Sequence, residues 1–164
     1  APNLMEAAHR AFLDESGAAL IKKYAKLNDP LFTPAGYQAY VDDLLVRMTN
    51  PYLEDTIARA GRDPVRKLGY QDRIYGTMVL ALEQGIETVH MALGALAGLA
   101  TSLKDPTANE LPADLCFTKD WRELTRGQIK QLCQWLWKKD AAKHADKLIE
   151  LTQAALPRLG SLLG

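Results

Sequence analysis

The sequence predicts an all-α fold, and three observations carry that prediction. Apolar residues recur at the three-to-four-residue spacing of a helix face along most of the chain. No stretch of five or more residues alternates apolar with polar as a half-buried strand would. Asn, Thr, Pro and Gly stand where such helices should start and stop. At 164 residues the chain can bury about 70% of its unfolded surface, enough for a core of its own. Its 48% hydrophobic content argues against disorder. Twenty Lys and Arg balance 20 Asp and Glu, which excludes a globally basic nucleic-acid binder. Cys116 and Cys133 are too few for a disulfide framework or a four-thiolate metal site, and read as reduced cytosolic thiols. The longest apolar stretch, residues 91–100, is about half a membrane span, so a cytoplasmic protein with no membrane partner is expected.

The first helix is expected to begin near Asn3, which with Glu6 has the spacing of a capping box. Leu13, Gly17, Leu20, Ile21 and Tyr24 form its inner face, and Asn28-Asp29-Pro30 end it. Thr33 as N-cap and Pro34 at the first position open a second helix. Its apolar series is Tyr37, Tyr40, Val41, Leu44, Leu45 and Met48. Asn50 and Pro51 close it and start a short helix, with Glu54 and Asp55 suited to its N-terminal dipole and Gly61 and Pro64 interrupting it. A helix from about Asp72 turns Ile74, Met78, Ala81 and Leu82 inward. Gly85 separates it from another running from about Glu87 to Leu103. Residues 104–119, rich in Pro, Asp, Thr and Asn, read as a long surface connection. Two closing helices follow, one with Ile129, Leu132, Cys133 and Leu136 inward, the other with Ala145, Leu148, Thr152 and Ala155 before Pro157.

One segment concentrates charge. Arg59, Arg62, Arg66, Lys67 and Arg73 stand against only Asp63 and Asp72 in a chain of no net charge. With Asp63 as N-cap and Pro64 first in the helix, Arg66 and Lys67 would occupy a first turn, where the dipole disfavours cations. Such conflicts between local rules are expected at functional sites, and free N–H groups beside Arg and Lys suit a phosphate or a row of hydroxyls. The segment therefore reads as an anion or polyol site, set against a solvated basic turn paired with Asp63, Asp72, Glu54 and Asp55.

The same segment carries a resemblance. The run RMTNPYLEDTIARAGRDPVRKLGYQDRI at residues 47–74, with ESGAALIKKY at 15–24 and LEQG at 82–85, resembles the C-terminal domain of the polyol-specific long-chain dehydrogenases. Within that family it is most similar to the mannitol-1-phosphate 5-dehydrogenase group. The similarity covers residues 4–99, and beyond 104 it extends only to helical character. It implies a multi-helical domain like that of 6-phosphogluconate dehydrogenase-type enzymes, with residues 1–164 as a single helical substrate domain. It also implies NAD held mainly by an N-terminal Rossmann domain, on which this domain packs and which this sequence does not contain. The implied substrate is a polyol or polyol phosphate, such as mannitol 1-phosphate, interconverted with the ketose.

The family's catalytic motif is a Lys, an Asn five positions later and a His three beyond, upstream of Glu-Ser-Gly-Ala. The fourteen residues that precede Glu15 contain no Lys and so not this motif; no catalytic residue is expected here, and the chain alone is expected to be inert. Lys23 and Asn28 repeat the first spacing, but they lie downstream and Leu31 stands where His is required. The family's substrate-facing Arg and Lys, eight apart, match Arg59 and Lys67, which would hydrogen-bond hydroxyls and orient the reacting carbon. Arg62 and Arg66 are candidate phosphate contacts from charge alone. Arg47 and Asn50 are motif positions expected to fix the helix junction. Family members often carry Lys-Pro where this chain has Gly76 and Thr77, which leaves the substrate open. The alternative is a stand-alone helical module binding an anionic ligand or a partner protein.

Other constellations weigh less. Glu6 with His9 and Glu87 with His90 have the Glu-x-x-His spacing of di-iron bundles, but Glu6 serves as a cap at the start of the chain, and no metal is expected. Trp121, Trp135 and Trp137 lack a basic stripe around them and read as packing residues rather than a nucleic-acid platform. His144, in a polar stretch, reads as a solvated residue. Gly94 and Gly98, within an apolar helix, lack the strand and turn of a dinucleotide site and read as allowing close helix packing.

Overall fold

The computed structural model describes residues 2–48, 52 and 62–163, with side chains for 6–47, 52 and 62–162. Every regular element among them is helical. The first is a single rod in three parts: α1 (Pro2–Arg10), a π-helical segment (Ala11–Gly17) and α2 (Ala18–Tyr24). Asn3 lies inside α1, so the helix starts ahead of the expected cap. A 3₁₀ turn, Ala25–Leu27, ends the rod at Asn28, whose φ of 52° breaks helical continuity.

Helix α3 (Pro34–Met48) starts as its sequence predicts. Thr33 Oγ1 accepts the Gly36 N–H at 3.1 Å while donating to the Pro30 carbonyl at 2.7 Å. Tyr37 and Val41 are buried on its inner face, whereas Tyr40, expected there too, is 42% exposed. The expectations for Asn50, Pro51, Glu54, Asp55 and Arg59 lie outside the described residues.

Helix α4 (Pro64–Leu68) has only five residues. Asp63 precedes it but does not cap it: its φ of 55° lies in the left-handed region, and its side chain makes no capping bond. Helix α5 (Arg73–Glu83) is capped by Asp72, and Gly85, at φ 74°, turns the chain into α6 (Val89–Ser102). Half of α6 is fully buried, including Ala92, Leu93, Leu96 and Leu99, as expected of a helix apolar on every side. It is the central strut, in contact with α1, the π segment, α4 and α5.

The glycines of α6 differ. A Cβ on Gly98 would lie 2.7 Å from Leu68 Cδ1, so close packing holds there. Around Gly94 nothing lies within 4 Å of such a Cβ, and the close-packing expectation fails because the helix faces open space at that point.

The connection at 104–119 runs over the surface, pinned by the buried Leu115 in a 3₁₀ turn. Then come α7 (Arg126–Trp137), α8 (Ala145–Ala154) and α9 (Leu156–Leu163). Thr125 and Gln128 form a capping box at α7. All eight expected inward residues of α7 and α8, from Ile129 to Ala155, are buried. Pro157, read as a stop, sits instead at the second position of α9, where proline costs no backbone bond. Helices α8 and α9 also lie against α6.

The last third grips the segment around α4. Trp137, with no exposed surface, donates its Nε1–H to the Leu68 carbonyl at 2.9 Å. The Tyr70 amide donates to the Leu136 carbonyl at 3.2 Å, and Tyr75 donates its hydroxyl to the Lys143 carbonyl at 2.6 Å.

Candidate functional site

A cleft of about 450 Å³ opens between the first helical rod, α4, α5, α6 and α9. Its walls are mainly apolar, with Phe12, Leu68, Ile74 and Met91 among them. Polar groups reach it from Ser16, Arg73, Thr77 and His90. A smaller pocket of about 270 Å³ adjoins it, shares Ala7, His90 and Leu162 with it, and is lined by Glu6, Arg10 and Arg158.

The inner wall owes its shape to the π segment. Glu15, Ser16 and Gly17 are buried in succession because this segment is flanked by α3, α5 and α6. Tyr37 of α3 lies over Gly17, where any Cβ would meet its ring at 2.4 Å, and its hydroxyl is 3.3 Å from Ser16 Oγ. Glu15, only 3% exposed, reaches the first turn of α6. Its Oε1 accepts the His90 amide at 2.6 Å, and its Oε2 accepts the Met91 amide at 2.8 Å. It therefore caps a helix remote in sequence, where a carboxylate meets both free N–H groups and the positive end of the dipole. Thr88, at the N-cap position, makes no capping bond, and its buried Oγ1 has no partner among the described residues.

The same carboxylate holds His90. Glu15 Oε1 lies 2.9 Å from His90 Nδ1, so with neutral imidazole the proton sits on Nδ1 and Nε2 is left as an acceptor. Among the described residues Nε2 has no hydrogen-bond partner. Sequence reasoning missed this pair because the partners are 75 residues apart. One signal was present: Glu15 has Ala11 and Ala19 at its i−4 and i+4 positions, so no helical neighbour could pair with it.

The basic segment is only partly brought to the cleft. Arg73 lines it, and Lys67 is partly buried next to the cleft-lining Leu68. Arg62 and Arg66 are exposed and line no part of it, and Arg66 faces Asp63 at 3.9 Å with both side chains more than half exposed. Arg59 and Asn50 lie outside the described residues. Arg47 pairs with Asp43 on its own helix at 2.8 Å. In a five-residue helix Arg66 and Lys67 also occupy the last turn, where cations are favoured, so the expected conflict with the dipole disappears. Asp72 Oδ1 accepts the Arg73 amide at 2.6 Å; that bond, helped by the Arg73 guanidinium, lowers its carboxyl below the ordinary value.

The remaining candidates fall elsewhere. Glu87 is exposed and faces Lys147 at 3.5 Å, while its expected partner His90 is taken by Glu15. His144 is exposed, and Trp137 is a core residue. Among the described residues no group of three or more His, Cys, Asp or Glu could hold a metal ion, and no helix is long and apolar enough to cross a membrane. Gly94 and Gly98 lie within α6 and not in a strand-to-helix turn, and Leu68 fills the space over Gly98.

The model of the family described as Mannitol dehydrogenase C-terminal domain matches residues 3–159. No solved structure matches the chain.

Proposed function

The chain belongs to the mannitol dehydrogenase C-terminal domain family, and from that membership we propose that it is the substrate-binding part of an NAD-dependent oxidoreductase. The reaction is hydride transfer between NAD and a polyol or polyol phosphate, mannitol 1-phosphate being the leading candidate. Residues 1–164 act as one substrate domain. NAD is supplied by a Rossmann domain elsewhere in the full-length cytoplasmic protein, and this chain alone is inactive.

The observation that carries this reading is the match across residues 3–159, which takes in the whole basic motif from Arg59 to Leu68. Arg59 and Lys67 hold substrate hydroxyls and aim the reacting carbon at the nicotinamide. That role is positional: it raises the fraction of bound substrate in a reactive pose without moving a proton. Arg62 and Arg66, exposed on this chain, are available to a phosphate held between two domains. Arg47 and Asn50 support the junction that presents them. Lys67 is well suited to precise placement, because its neighbour Leu68 is only 5% exposed and its carbonyl is held by Trp137.

Kinetics of the full-length protein test this. Arg59→Ala and Lys67→Ala should each lower kcat/KM toward the preferred polyol at least tenfold, about 1.4 kcal/mol of transition-state binding. Arg66→Ala should raise KM for the phosphorylated substrate more than for the free polyol. Wild-type kinetics in both of the first two variants would remove these residues from the site.

A further inference from the structure

We propose that the cleft and its adjoining pocket take a second kind of ligand, an amphipathic monoanion: an unbranched carboxylate with its chain in the cleft and its head at His90 and Arg158. The cleft lies in the size range of small-molecule sites. Its apolar walls suit a hydrocarbon chain. A polyol placed there would lose water from its hydroxyls and find few partners, since Ser16 Oγ is engaged with Tyr37 and Phe12, and Thr77 Oγ1 donates to the Arg73 carbonyl.

The head-group end is argued from the second pocket. It opens beside the cleft at His90, so a single ligand can span both. Arg158 forms no ion pair among the described residues. Arg10 faces Asp14 at 3.0 Å, and Glu6 is the carboxylate lining the pocket. Asp14 already compensates Arg10, so Arg158 is the lining guanidinium left to take a ligand carboxylate, and one such group matches an anion of single charge. His90 completes the site. Protonated, it donates Nε2–H to the carboxylate while Nδ1–H stays on the buried Glu15; neutral, it accepts from a protonated acid.

The test uses octanoate as the probe and calorimetry on the full-length protein, with butyrate and 1-octanol as comparators. Octanoate should bind with a Kd below 1 mM, while butyrate, lacking the chain, and 1-octanol, lacking the charge, should each bind at least tenfold more weakly. Arg158→Ala should weaken octanoate at least fivefold. Gly94→Leu should abolish binding by filling the cleft, because a Cβ at that position points into space with nothing within 4 Å. Circular dichroism checks that each variant stays helical. No octanoate binding, or binding that survives Gly94→Leu, overturns the proposal. Because the readout is binding and not turnover, its failure is separate from that of the polyol reading.

Discussion

Glu15 is the side chain on which most of the interior geometry depends. It satisfies two amides and one ring nitrogen while buried, so its loss leaves several donors without partners. Glu15→Ala should cost about 3 kcal/mol, and Glu15→Gln less, because an amide oxygen can still accept from one of those donors. Urea unfolding measures both. Thr88 is the opposite case: its hydroxyl is buried without a partner among the described residues, so Thr88→Val should leave stability unchanged or raise it by up to about 1 kcal/mol. Cys133, fully buried, has its thiol pushed far above the ordinary value by desolvation. The unfolded thiol ionises near pH 8.5 and the folded one does not, so this group's contribution is complete below that pH and is lost progressively above it. Iodoacetamide should label Cys116, which is exposed, in the native protein, and Cys133 only after unfolding.

At the scale of elements, α6 gives a direct comparison. Gly94→Ala should stabilise by about 0.5–1 kcal/mol, the usual gain for an exposed mid-helix glycine. Gly98→Ala should destabilise, because Leu68 must move away from the new methyl group. Thermal melts of the two variants should shift in opposite directions. The helices themselves were largely legible in the sequence. Thr33, Asp72 and Gly85 mark real boundaries because capping and left-handed turns are local chemistry. Asp63, Pro157 and Gly94 were misread because neighbouring elements decide their roles: a strained φ, a following helix and an open cleft are not encoded within a few residues. The π segment had no sequence signature at all, since its register is set by what surrounds it.

At the scale of the molecule, family and helical class could be read from the motif near α4, whereas the cleft could not. The cleft is assembled from the first helical rod, α4, α5, α6 and α9, so only the folded chain juxtaposes its residues. The closing helices looked chemically silent in the sequence, yet Trp137, Leu136 and Lys143 reach back to Leu68, Tyr70 and Tyr75. Trp137→Phe should therefore expose the amides of 67–70 to faster hydrogen exchange than distant core amides, a local loosening that mass spectrometry can resolve. A stop codon between residues 104 and 136 would remove this rear brace. Helix α4 would then hang without a backstop, and Arg66 and Lys67, both still present, would lose their fixed positions through slack in the scaffold behind them.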